Sequence, residues 1–159
     1  MKINELIAAI SQKHNKEGID VFPPASIKDI QTFEKQIVFS LPEDFKEFYL
    51  ICNGFGCAED IFNMIPLNEI RTGPDNCGDN WFYFAEYMIY SDMWGLRMVA
   101  KDQYEIFNGS HPSLVLTSSL NEFLERFLLG NVFDHGGLYE WRDEIEIEVG
   151  RSKLNNNKQ

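Results

Sequence analysis

The 159-residue sequence contains no run of about 18 apolar residues, the minimum for a helix that crosses a bilayer, so no membrane span is expected. Its first residues, MKINELIAAISQKHN, lack the sustained apolar stretch and small-residue cleavage site of a secretory leader. Cysteine is scarce. Cys52, Cys57 and Cys77 form an odd set whose spacing suits no usual zinc site, so they read as reduced thiols of a cytoplasmic protein. Basic residues are in deficit: 14 Lys and Arg stand against 25 Asp and Glu, a net charge of −11. That balance argues against a surface built for nucleic acid or for an anionic membrane. Catalytic motifs are missing too, with no GxGxxG, P-loop lysine motif, HExxH or GxSxG. His14, His111 and His135 lie far apart, each at a helix end or turn that explains it. No catalytic residue, cofactor or metal ligand is nominated on this pattern.

What the chain does have is aromatic bulk and one well-punctuated centre. Thirteen Phe, six Tyr and three Trp predict a well-packed core, and the length predicts one domain over 1–151, with 152–159 as a disordered tail. The centre is 41–56, LPEDFKEFYLICNGFG. Pro42 suits a first helical turn, and Glu43 and Asp44 complement the positive end of the helix dipole. Phe45, Phe48, Tyr49 and Cys52 recur at helical spacing, and Asn53-Gly54 tolerates the left-handed backbone that closes a helix. Before it, 3–14 predicts a helix with Ile3, Leu6, Ile7 and Ile10 inward. A second begins at Ser26, where Ser-x-x-Asp29 resembles a capping box and Ile27, Ile30, Phe33 and Ile37 supply the buried side.

After Gly56 the apolar period becomes that of strands. Residues 61–65 predict a short strand stopped by Pro66, 71–80 a loop, and 81–90 an aromatic strand bent near Glu86. A hairpin follows around Asp102-Gln103, then a short strand at 114–116. Residues 119–129 predict a helix opened by the capping box Ser119-x-x-Glu122 and ended by Gly130. The stretch 143–149 alternates strictly, which predicts a strand with Glu144, Glu146 and Glu148 on one face. A short helix over 138–149 competes, because Glu is depleted in strands. The sum is an α+β fold: a central, mainly antiparallel twisted sheet packed against N-terminal helices and one later helix.

The acids are unevenly placed. Seven fall in 59–92 against Arg71 alone, and six in 134–151 against two arginines. Such clustering ordinarily serves solubility. Here Asp79, Glu86 and Asp92 interleave with Trp81 and Trp94, and a carboxylate-rimmed aromatic patch suits a basic protein partner. Glu144, Glu146 and Glu148 would extend the patch, giving eight candidate partner-binding residues. The loop Asp75-x-Cys77-x-Asp79 has oxygen ligands at alternate positions, but it lacks the full set of a calcium loop and reads first as a solvated turn.

The order Ile27-x-x-Ile30-x-x-Phe33-Glu34, then Leu41-Pro42-x-Asp44-Phe45-x-x-Phe48-Tyr49, then Asn53-Gly54, resembles the SUKH superfamily, which contains the fungal Smi/Knr cell-wall regulators. Ile65-Pro66-Leu67 and Leu120-x-x-Phe123-Leu124 before Gly130 fit the same pattern, so the likeness covers most of 26–130. The resemblance implies an α+β domain without catalytic residues. In bacteria it implies an immunity protein that binds and neutralises a polymorphic toxin, often a nuclease. The alternative it implies is a regulatory module with an endogenous partner. The matching positions are framework residues, so they assign no contact.

Overall fold

The computed structural model describes residues 1–59 and 61–158. Its order is α1 (Ile3–Lys13), β1 (Ile19–Val21), α2 (Ile27–Ile37), α3 (Glu43–Ile51), β2 (Phe55–Cys57) and β3 (Phe62–Met64), then a 3-10 turn at Leu67–Glu69. Strands β4 (Trp81–Tyr87), β5 (Asp92–Ala100) and β6 (Gln103–Asn108) follow, then helices α4 (Leu120–Gly130) and α5 (Leu138–Asn156). The strands form one antiparallel meander in chain order, β1-β2-β3-β4-β5-β6. The fold is α+β, as the layout predicts.

Helices and sheet meet through rings. Phe33 of α2 packs edge-on to Phe82 at 5.1 Å, and Phe45 of α3 does the same to Phe84 at 5.1 Å. From α4, Phe127 stacks on Phe62 at 4.4 Å and Phe123 meets Phe84 at 5.2 Å. Each aromatic pair adds about 0.5–1.5 kcal/mol beyond the apolar area it buries. These contacts place the core between the helices and one face of the sheet.

Local chemistry starts the helices as expected. Ser26 Oγ accepts the Asp29 amide at 3.0 Å, and Asp29 Oδ2 accepts the Ser26 amide at 2.9 Å, a reciprocal capping box. The box at α4 is only half made: Ser119 Oγ accepts the Glu122 amide at 3.3 Å, while the Glu122 carboxylate accepts the Thr117 hydroxyl. Pro42 stands one residue before α3, and Gly54 follows the helix with φ +88°. A Cβ at Gly54 would lie 2.2 Å from the Met64 carbonyl oxygen and 3.0 Å from the Pro66 nitrogen. Gly54→Ala is therefore expected to lower unfolding free energy by about 2 kcal/mol in urea titration, combining left-handed strain with overpacking.

Four expectations are corrected, and one strand pair is unforeseen. Ile27 is exposed, because α2 turns only Ile30, Phe33 and Ile37 to the core. Residues 19–21 and 55–57, carrying no alternation long enough to announce a strand, pair with one another as β1 and β2. The aromatic strand stops at Tyr87 rather than Tyr90, and β5 begins at Asp92. Residues 114–116 make no strand; the 116–117 backbone instead bonds Ile106, with Ile106 N–H donating to Thr117 O at 2.7 Å. Finally, 143–149 is helical, part of α5, which continues through 152–156 where a disordered tail is expected.

The last correction has a simple cause. A strand needs a free edge, and the β6 edge at Ile106 is already bonded to 116–117. A helix satisfies its own backbone, and buried Leu138 and Trp141 anchor α5 at its start. Alternate residues lie roughly 200° apart around a helix. Glu144 and Glu148 therefore share one side and Glu146 takes the other, so no three-glutamate face exists.

Candidate interaction surface

The eight residues nominated from sequence do not form one surface. Trp94 is fully buried, with its ring 5.7 Å from Phe62 and 5.8 Å from Tyr139. Glu86 is 5% exposed, and both its oxygens are engaged: Oε2 accepts the Tyr90 amide at 2.8 Å, and Oε1 accepts the Asn63 side-chain amide. Asp92 Oδ2 accepts the Tyr139 hydroxyl at 2.6 Å and the Asn108 amide at 3.0 Å, which ties β5 to β6 and α5. These three are framework groups. They looked superficial in sequence because a strand's inward and outward residues differ only in register, which the bulge between Tyr83 and Ala85 shifts.

Asp79, Glu144, Glu146 and Glu148 are exposed and Trp81 is half-buried. Trp81 lies on the sheet face away from the helices, in a cluster with Tyr83 at 5.2 Å and Phe107 at 6.3 Å. Arg97 caps the cluster 4.7 Å from the Phe107 ring centre and donates to Glu105 at 3.2 Å. Asp79 belongs to the loop at the Trp81 end of β4; Glu144, Glu146 and Glu148 belong to α5, which starts by Tyr87 at the other end of that strand and runs past His111. Among the described residues no group of three or more His, Cys, Asp or Glu is placed to hold a metal ion.

At the opposite end the start of α5 packs on the sheet, with Tyr139 6.3 Å from Tyr87. Tyr87, at the end of β4, packs edge-on to Phe133 at 5.2 Å. Arg142 of α5 donates to Asn108 Oδ1 at 2.9 Å, and His111 Nε2 lies 3.9 Å from Glu146 Oε2. Exposed Glu59, two residues before Ile61 whose carbonyl accepts the Met88 amide, and exposed Asp134, next to Phe133, border this corner.

That corner carries an unusual turn. Met88, Ile89 and Tyr90, between β4 and β5, all have positive φ (50°, 51° and 62°). Left-handed backbone costs roughly 1–2 kcal/mol per non-glycine residue. Ile89 is 82% exposed and Met88 44%, while neighbouring Ile61, itself at φ 51°, is 49% exposed and Phe133 57%. Sequence reading missed these four. MIY after an aromatic strand reads as more strand, because no Gly, Asn or Pro marks a turn; Ser91-Asp92 is the single polar hint.

Thiol and imidazole groups are dispersed. Burial pushes the Cys52 thiol up to about 11, which makes it a poor nucleophile. His14 is buried, stacked 5.5 Å from Phe127, with Nδ1 3.5 Å from Glu59 Oε2. His135 Nδ1 lies 2.7 Å from Glu140 Oε1 on the surface. No helix among the described residues is long and apolar enough to cross a membrane.

No curated protein gives a match to this chain. A family model described as the SMI1 / KNR4 family (SUKH-1) matches residues 24–126, from just before α2 into α4, well over half of the sequence. The matched span holds the Ser26 cap, the Pro42-led α3, the Gly54 release and five of the six strands. On that match the chain belongs to the SMI1 / KNR4 family (SUKH-1).

Proposed function

We propose that this protein is a non-catalytic, cytoplasmic immunity protein that binds a basic polymorphic toxin, a nuclease by preference, and occludes its substrate surface. The observation that carries the proposal is the net charge of −11 on a family member that exposes carboxylates at Glu59, Asp134, Asp143, Glu144 and Glu148. A nuclease must present cations to a polyanion, and the same cations attract an acidic protein. The dispersed histidines and the high Cys52 pKa fit a binder better than an enzyme.

The test is co-expression with the toxin encoded beside this gene, followed by co-purification. Growth rescue with a stable one-to-one complex supports the proposal. Rescue without a complex, or neither, would favour a regulatory module with an endogenous partner instead.

The charge argument gives a sharper expectation. Asp134, Glu144 and Glu148 are exposed, so reversing them to lysine leaves the core intact. Association with the toxin is expected to slow about tenfold at low ionic strength, with a flatter salt dependence. Reversal of Asp75 and Asp79, at the other end of β4, is expected to change the rate much less. Stopped-flow association rates across a salt series check both.

A further inference from the structure

We infer that the 88–91 turn is a preformed apolar anchor that inserts into a pocket on the partner, a pocket apolar at its base and lined with Lys and Arg at its rim. The inference rests on the binding role proposed above and names the contact that would carry it.

Three observations point the same way. First, the backbone is held where its residues do not wish to be. Hairpin turns with positive φ favour Asn and Gly, whereas this one uses Met88, Ile89 and Tyr90; a β-branched residue there is an outlier. Backbone outliers of this kind cluster where a partner or ligand is engaged.

Second, the strain does not serve the fold. Ile89 is among the most exposed apolar side chains of the chain and contributes no core contact, and Ile61 and Phe133 extend the same uncovered apolar surface. An Asn-Gly pair would close the same hairpin without strain, so what the present residues add is side chain.

Third, the protein has a dedicated support for this geometry. The buried Glu86 carboxylate accepts the Tyr90 amide, and Ser91 Oγ donates to the Met88 carbonyl at 2.7 Å. The Met88 amide donates to the Ile61 carbonyl at 2.9 Å, and the Arg71 guanidinium lies 3.5 Å from the Tyr90 ring centre. The turn is thereby rigid before any encounter, which removes the ordering cost a flexible loop would carry into binding. The chemistry of the pocket follows from the surroundings. Carboxylates flank the apolar tip at Glu59, two residues before Ile61, and at Asp134, beside Phe133, so the complementary rim is cationic.

The experiment uses the full chain and an inactivated form of the toxin domain encoded beside its gene, with affinity read by calorimetry. Two variants are compared with the parent: Ile89→Asp, and the double change Met88→Asn with Ile89→Gly. The double variant is expected to melt several degrees higher, because it relieves the turn, yet to bind at least tenfold more weakly. Ile89→Asp is expected to keep the parent melting temperature and to lose binding by a similar factor or more. Stability rising while affinity falls is a result that a purely structural turn would not produce. Parent-like affinity in both variants overturns the inference and leaves the proposed function standing. If the parent itself fails to bind, the proposed function falls and the inference with it. Sedimentation showing a parent dimer that Ile89→Asp dissociates would assign the tip to a second copy of this chain, which also overturns it.

Discussion

Trp94→Ala is expected to lower the free energy of unfolding by about 3–5 kcal/mol, enough to leave the chain largely unfolded if its stability is ordinary for its size. Trp94 stands at the meeting point of three layers. Its ring is 5.7 Å from Phe62 on β3, 6.2 Å from Phe123 on α4 and 5.8 Å from Tyr139 on α5. Truncation would open a cavity walled by rings that cannot collapse into it, because each is held by other contacts. Trp94→Phe separates volume from polarity. The indole Nε1–H is buried without a hydrogen-bond partner among the described residues. Such a donor costs about 1–3 kcal/mol. Phenylalanine removes it while keeping most of the ring, so a net cost near 1 kcal/mol or less is expected. Urea titrations of the two variants, read by circular dichroism, check both numbers. A Trp94→Ala protein of parental stability would show that the residue is not a hub of the core.

The second large effect is expected where α3, β6 and α4 join. The Tyr104 hydroxyl donates to Asp44 Oδ2 and accepts the Leu120 amide at 2.7 Å; Asp44 Oδ1 accepts the Phe45 amide at 2.9 Å. Asp44→Ala is expected to cost about 2–3 kcal/mol, since it removes a charge-assisted acceptor and strands a buried hydroxyl. The pH dependence has a definite sign. Burial pushes the Asp44 carboxyl above its ordinary value, outweighing the Tyr104, Leu120 and Phe45 donors that favour the ionised form. The folded state thus holds this proton more tightly than the unfolded chain. The stability it contributes is complete below the unfolded pKa and is lost as pH rises through the raised folded pKa. Asp44→Asn cannot titrate, so its stability relative to the parent is expected to improve as pH climbs from about 3 toward neutrality. Denaturation curves at half-unit steps would show it. The opposite trend would mean that the three donors outweigh burial.

How much of this was legible beforehand depends on how local each signal is. The Ser26 box, the run from Glu43 to Tyr49 and the Leu120 to Phe127 stripe are written within one or two helical turns, and those helices form where the residues place them. The hairpin around Asp102 is equally local, with Asp102 itself at φ 55°. The 143–149 stretch failed for the converse reason. Its alternation is a strand signal only if an edge is free to receive it, and the occupancy of the β6 edge is decided far upstream, by 116–117 against Ile106. The candidate surface suffered the same way. Glu86 and Trp94 sit in a sequence as acidic and aromatic as that of Asp79 and Trp81, yet the register after one bulge sets Glu86 beside Asn63 under the 88–91 turn, and docked helices cover Trp94.

By itself, then, the chain's order of residues determined its class, its helix starts, its aromatic core and its excess of carboxylates, all properties of composition or of near neighbours. Only the tertiary structure decided which of those carboxylates face water and which bind backbone amides. It alone packed the start of the last helix against the end of β4 and raised a left-handed Met-Ile-Tyr turn there. The physical reason is that burial and charge proximity are sums over distant partners, and a chain specifies those partners only once its sheet has a register and its last helix has a place to dock.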